Sequence, residues 1–331
     1  MDDSAFARLL ALKDTMTPWA LRAVVTLGVP DLLAGSELGI DELARRTGTV
    51  PDALHRALRL LAARGVFTEA RPGVFGPTEL SRLLESGHPM SLRPWLDLDG
   101  AIGRGDRACV HVLEALRTGG PVYERAYGRP VWDDLAADPA LAGSFDAAME
   151  RRAATLAPAV AAASGRPEHV LDVGGGTGTV LAAVLRAHPG ARGTLLDRAP
   201  AVTAARAAWG DTAAGRRCAF VTGSFFDALP PGADMALLVN VLHDWADEHA
   251  EAILRRCAEA VGAGGRVVVV EGVRDAGGHG LLELDLLLML VYGGRERGLD
   301  EFRELGERAG LELLATEPAG EGLSSLTFSP R

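Results

Sequence analysis

From Pro51 the chain places apolar residues at helical spacing. Leu54, Leu58 and Leu61 share one face at i, i+4 and i+7. Pro51 suits a first turn and Gly65 a stop, so the spacing predicts a helix over "VPDALHRALRLLAARG" (50–65). A shorter helix, "DELARRTG" (41–48), precedes it. "VFTEARPGVFGPT" follows as a hairpin turning at Pro72 and Gly73. Helix, turn, helix, hairpin is the winged-helix pattern. Helical stretches continue through "FDAAMERRAATLAPAVAAA", and "SGRPEH" reads as a boundary. From His169 the rhythm changes to strand, helix, strand, helix. The strands are "HVLDV" (169–173), "RGTLLD" (192–197), "CAFVTG" (218–223), "MALLVN" (235–240) and "RVVVVE" (266–271). Each is a short, nearly continuous apolar run, as a parallel sheet covered on both faces requires. Polar-faced helices such as "DEHAEAILRRCAEAV" lie between them. The pattern predicts a doubly wound, Rossmann-like α/β domain, whose ligands sit outside the carboxyl ends of the strands. The expected division is 1–100, mainly α and winged-helix-like; 101–165, connecting helices; and 166–331, the α/β domain.

Composition narrows the classes. At roughly 150 residues per domain, a chain of 331 residues holds about two. The formal charge of -10 opposes broad binding to nucleic acid or anionic membranes. A DNA-binding regulator is nonetheless a rival, because Arg56, Arg59 and Arg64 lie on the second helix. Asp52 at that helix's start opposes it. Cys109, Cys218 and Cys257 are far apart and form no CxxC pair, which fits a reduced, cytoplasmic protein. The acidic start "MDDSAFARLL" is not expected to be a signal peptide. The apolar run "LLELDLLLMLVY" (281–292) is short and carries Glu283 and Asp285, so it predicts a core helix and no membrane span.

After the first strand stand four glycines, in D-x-G-x-G-x-G: Asp172, Gly174, Gly176 and Gly178, with Gly175 between. A dinucleotide fingerprint would need a glycine at 179 or 181, where Thr179 and Leu181 stand, and no P-loop lysine follows. Asp197 ends the next strand, where an acid suits the two hydroxyls of a ribose. A nucleoside without a pyrophosphate fits this set, and S-adenosylmethionine is one; a merely tight strand-to-helix turn is the other reading. Three more residues belong at the same crevice. His243 follows the fourth strand, Glu271 closes the fifth, and Glu296 sits on a loop after the apolar helix. A histidine with two carboxylates makes a general base, one acid orienting the ring and stabilising its charged form. A structural histidine is the alternative. Asp244 could cap the helix in "WADEHAEAIL", and His249 reads as a solvated helix residue.

The segments "LDVGGGTG", "LLD", "GSFFD", "NVLHDWADEHAEAIL", "VVVVEGV" and "LLLMLVYGGRERGLDEF" occur in order. Together they resemble the small-molecule O-methyltransferases that include plant caffeic-acid-type enzymes, acetylserotonin methyltransferase and bacterial polyketide-tailoring enzymes. The resemblance covers nearly the whole chain. It implies a homodimer, joined through the winged-helix unit. It implies S-adenosylmethionine as cofactor, S-adenosylhomocysteine as product, and no metal. Gly174 and Gly176 belong to its cofactor loop, with Gly174 against the methionyl part. Asp197 would hold the ribose, Ser224 and Phe225 would flank the adenine, and Arg152 would bind the methionyl carboxylate. His243 would take the acceptor's proton, assisted by Glu271 and Glu296. Trp132, Met149, Met289 and Tyr292 lie in the motif neighbourhood expected to contact the substrate, with plain core packing as their other reading. Two positions depart from the family pattern. Ser224 stands where an acid often accepts from the adenine amino group, and Gly298 stands where threonine is usual. A second rival is altered chemistry on the same fold: N- or C-methylation, or another cofactor-assisted reaction.

Magnitudes favour a phenolic acceptor. An imidazole of pKa about 6.5 and a phenol of about 10 differ by roughly 3.5 units, or about 5 kcal/mol. For an aliphatic hydroxyl near water's 15.7 the gap is roughly 9 units, or about 12 kcal/mol. The expected substrate is therefore a hydroxyl of an aromatic natural product. The protein's task is to align the reacting atoms, exclude water and remove a proton.

Overall fold

The computed structural model describes residues 3–276, 279–320 and 322–331. The chain divides into two compact units, one ending at Asp106 and one starting at Arg107.

In the first unit, helices Ile40–Thr47 and Pro51–Ala62 lead into a hairpin of β2 (Phe67–Arg71) and β3 (Val74–Pro77); β1 (Leu38–Gly39) pairs with β3 on its other edge. Leu54, Leu58 and Leu61 are buried with Leu43, Phe67 and Phe75, so the periodic leucine face became the core. The short β1 was not expected; two residues carry too little pattern to announce a strand.

The second unit holds a seven-stranded sheet. Its strands are β4 (His169–Val173), β5 (Arg192–Asp197), β6 (Cys218–Thr222), β7 (Met235–Val239), β8 (Arg266–Gly272), β9 (Leu311–Pro318) and β10 (Leu323–Pro330). Their order is β6-β5-β4-β7-β8-β10-β9. Strands β4 to β8 are parallel, and β10 runs antiparallel to β8 and β9. Successive residues feed opposite cores: Val267 and Val269 pack on one face, Val268 and Val270 on the other. That is why these strands read as continuous apolar runs. The terminal hairpin β9–β10 was not expected. β9 is an edge strand, largely exposed and carrying Glu312 and Glu317, so it lacks the run that marked the others.

Strand β4 has β5 on one side and β7 on the other. The chain winds outward to β6, then restarts at β7. This reversal opens a crevice at the carboxyl ends of the central strands. The helix Pro139–Ala163 packs on the helix Thr179–Ala187 that leaves the glycine loop. Its first turn is capped by Asp138, whose Oδ1 accepts from the amides of Ala140 (2.9 Å) and Leu141 (3.1 Å).

Candidate active site

The glycine loop turns through left-handed backbone at Gly174 (φ 70°) and Gly176 (φ 58°), a conformation costly to any residue with a Cβ. At Gly174 a Cβ would also stand 3.1 Å from Val241 and 3.4 Å from Phe225. The turn points the Gly176 amide at Asp197, whose Oδ2 accepts it at 2.7 Å, while Oδ1 accepts from the Arg198 amide at 2.6 Å. Burial raises the Asp197 pKa, and these two amides oppose the rise.

Above the loop opens a cavity of about 330 Å³. All six residues assigned to the cofactor line it: Gly174, Gly176, Asp197, Ser224, Phe225 and Arg152. Met149 and Trp132 line it as well. Met289 and Tyr292 are not among the lining residues; the Tyr292 ring packs on Trp132 at 5.3 Å between centroids. Trp132 also stacks on Trp245, with rings 14° from parallel at 5.7 Å. The Ser224 Oγ accepts from the Phe226 amide at 3.2 Å, which takes up one of its acceptor positions.

Other groups at this cavity had no assigned role. Asp172, in the motif itself, is fully buried; burial and the neighbouring Asp197 push its carboxyl up to about 7. Asp146, one turn before Met149, is pushed up to about 6 by burial and again by Asp197. Asn240, just past β7, has φ 52°, and among the described residues it alone departs from negative φ without being glycine. Its Oδ1 lies 3.5 Å from Arg152 Nη2. Nothing in one sequence marks an acid as buried or an asparagine as left-handed. The one usable signal was position at a strand's carboxyl end. Among the described residues, three buried polar atoms of the cavity lining lack a hydrogen-bond partner in the protein: Trp132 Nε1, Arg152 Nε and Asp172 Oδ2, the last two on groups that can carry charge. A buried donor and a buried acceptor left so are costly unless a ligand meets them, and a molecule carrying both a carboxylate and an ammonium group fits them.

His243, Glu271 and Glu296 come together, each buried. His243 stands in the 3-10 turn Leu242–Asp244. Its Nδ1 lies 3.1 Å from Glu296 Oε1. Glu271 grips the backbone of the turn: its Oε1 accepts from the amides of Val241 (3.0 Å), Leu242 (2.5 Å) and His243 (3.3 Å). These three side chains offer ligand atoms within 4.8 Å of one another. Nδ1 and Glu271 Oε1 are engaged in hydrogen bonds within the protein, whereas Glu271 Oε2 and Glu296 Oε2 are buried without a partner in it. His243 Nε2 lies 3.7 Å from Asp244 Oδ1. Asp244 and Trp245 line the cavity, whereas His243, Glu271 and Glu296 are not among its lining residues. The imidazole therefore stands just behind the wall, with its free nitrogen on the side of Asp244. Burial alone would lower the His243 pKa; Asp244, Glu296 and Glu271 outweigh it and raise the ring to about 9. Asp244 is pushed up to about 7, chiefly by burial.

Residues 110–312 match the model of the O-methyltransferase domain, and residues 10–87 that of the O-methyltransferase dimerisation domain. The chain belongs to the O-methyltransferase family. Its first unit thus carries that family's dimerisation domain. The crystal structure of TnmH is similar over all of both chains, with 65% identity and a TM-score of 0.97. A second is that of NcsB1, an O-methyltransferase from neocarzinostatin biosynthesis, in complex with S-adenosyl-L-homocysteine and 1,4-dihydroxy-2-naphthoic acid. It is 42% identical with a TM-score of 0.89, over 98% of each chain. One curated relative bears a different activity in its name: aclacinomycin 10-hydroxylase RdmB of Streptomyces purpurascens. It is 42% identical over 330 residues, 96% of this chain and 87% of that one.

Proposed function

We propose that the protein transfers a methyl group from S-adenosylmethionine to a phenolic hydroxyl of an aromatic small molecule, with His243 taking the hydroxyl proton. One observation carries the reading. Glu296 holds Nδ1, and the opposite nitrogen faces Asp244 on the wall of the cavity that the glycine loop and Asp197 also line. In the neutral ring, a proton on Nδ1 donates to Glu296 and leaves Nε2 free to accept.

The cofactor supplies a methyl group on a sulfonium, electrophilic without a metal. Asp197 would hold its ribose, and Arg152 its carboxylate, using the Nε left without a protein partner. Asp172 would meet the ammonium with its own unpartnered oxygen. Gly174 and Gly176 let the backbone approach, and Ser224 and Phe225 flank the base. Trp132 and Met149 would form an apolar, aromatic wall against a flat acceptor, with Trp245 beside them. The 1,4-dihydroxy-2-naphthoic acid bound to NcsB1 is a flat aromatic of this kind. Tyr292 would act from behind that wall, through Trp132, and Met289, on the helix that precedes Tyr292, would contact the acceptor only if the acceptor reached beyond the wall.

The elevated His243 pKa bears on the chemistry. With the ring near 9 and a phenol near 10, transfer to the neutral ring is uphill by only roughly 1 unit, or about 1 kcal/mol, and below pH 9 the ring must first give up its own proton, which returns most of that gain. Glu271 would serve through the backbone, fixing the turn. In this arrangement residues 1–100 pair two copies, 101–165 contribute helices to the pocket wall, and 166–331 carry the chemistry. The three free cysteines suit the reducing cytoplasm.

The hydroxylase among the relatives favours one second reading, oxygenation on the same scaffold. Product mass separates the two. Incubated with S-adenosylmethionine and a panel of phenols, catechols and hydroxyanthraquinones, the protein should yield a product heavier by one CH2. A product heavier by one oxygen would overturn the proposal.

A further inference from the structure

The loop that delivers Glu296 also delivers a buried cation to the same turn. Arg297 is among the largest fully buried side chains of the protein. Its Nη1 donates to the carbonyl of Leu242 at 2.9 Å and its Nη2 to that of Trp245 at 2.7 Å. Its Nε (3.0 Å) and Nη2 (2.9 Å) both donate to Asp247 Oδ1. The two carbonyls bracket His243. Between them, the His243 carbonyl accepts from the Arg295 amide at 2.9 Å. At Gly294 a Cβ would overlap that same carbonyl oxygen, so the close approach of the two loops requires glycine there.

The backbone of the histidine turn is thus held on both sides. Glu271 takes its amides, and Arg297 with the Arg295 amide takes its carbonyls. We infer that Arg297, anchored by Asp247, is a positioning residue that fixes the His243 turn against Glu296. Three features support this over simple core filling. The guanidinium is a planar fork, and its donors meet two carbonyls and a carboxylate at once, which a point charge cannot do. Residue 297 adjoins residue 296, so any shift of the clamp moves the carboxylate on Nδ1. The anchor is itself braced: Arg295 Nη1 lies 3.8 Å from Asp247, and Arg295 also pairs with Glu301. Arg274 pairs with Glu301 at 2.7 Å.

The inference rests on the reading of His243 as base for its consequence in catalysis, but its physical content is testable apart from it. Arg297→Lys keeps the charge and removes the fork. The full-length protein, with ring-15N-labelled histidine, would be titrated by NMR beside measurements of kcat, KM for S-adenosylmethionine and Tm. The expected result is a His243 midpoint lowered by roughly half a unit or more, because the contact with Glu296 loosens. Turnover should fall about tenfold or more, since a small misplacement of a reacting group is costly. KM for the cofactor should change less than about threefold, since the clamp does not line the cavity. Asp247→Glu keeps the charge and misplaces the anchor, and it should shift the midpoint in the same direction by less. It serves as the readout if Arg297→Lys does not fold. A His243 midpoint unmoved in a folded variant would overturn the inference, whatever happens to Tm. Activity that survives His243→Ala would instead overturn the base reading and leave the titration result standing.

Discussion

His243 sets the chemistry through the company it keeps. Free imidazole is half protonated near pH 6.5; here Asp244, Glu296 and Glu271 hold the proton up to about pH 9 despite burial. A base must be neutral to accept, so kcat/KM should climb with pH through neutrality and level off only near 9. Glu296→Gln removes one group that raises the ring, so the limb should move to lower pH while the plateau rate falls. A pH–rate profile of the two proteins checks this, and a limb that stays in place would contradict it. The histidine and its two acids were legible in the sequence because each ends a strand or sits in a segment with the family pattern. Their division of labour was not. Glu296 touches the ring, whereas Glu271 spends one oxygen on three backbone amides. Which atom meets which depends on side-chain reach across the turn, and spacing along a chain does not encode that.

At the scale of elements, Gly298 shows how a departure from the family pattern is accommodated. The helix Leu299–Arg308 begins after a residue with no side chain to cap it. Asp275 reaches over from another loop, and its Oδ2 accepts from the Leu299 amide at 3.1 Å; Glu301 accepts from the Gly298 amide at 2.7 Å. A Cβ at 298 would stand 2.6 Å from that Asp275 oxygen, so the borrowed cap and the glycine go together. The loop bearing Glu296 is therefore tied down by Asp275 and Glu301. Asp275→Ala should cost about 1 kcal/mol, which is a fall in Tm of roughly 2–4 °C for a unit of this size. Thermal unfolding of the variant measures it, and an unchanged Tm would show the cap to be idle. Elements buried on both faces, such as β7 and β8, announced themselves as apolar runs. The β9–β10 hairpin did not, because an edge strand half open to water can be built from alternating polar residues.

At the scale of the molecule, the change of hydrophobic rhythm falls at His169, whereas the chain divides into its two compact units at Asp106 and Arg107, so the helices that follow, up to Ala163, belong with the α/β sheet; each unit has its own core. Charge told against nucleic acid, and the matched dimerisation domain gives the winged-helix pattern another use. Among the described residues no helix is long and apolar enough to cross a membrane; the run at 281–292 lies on a helix of the second unit that is a core helix only at its end, with Leu288 and Leu290 buried but Leu282 and Leu286 exposed. The acceptor's identity was beyond the sequence, since the wall that would recognise it joins Trp132, Phe145 and Met149 to Trp245, which is far from them along the chain, and spacing does not give its shape. One comparison bears most directly on the whole proposal: the rate at which wild type and His243→Ala methylate a phenol that the wild type accepts, with S-adenosylmethionine affinity measured for both. Cofactor affinity should agree within a few fold while turnover drops by about 100-fold or more. Equal turnover in the two proteins would mean that catalysis proceeds by alignment alone and that the buried histidine only supports the fold.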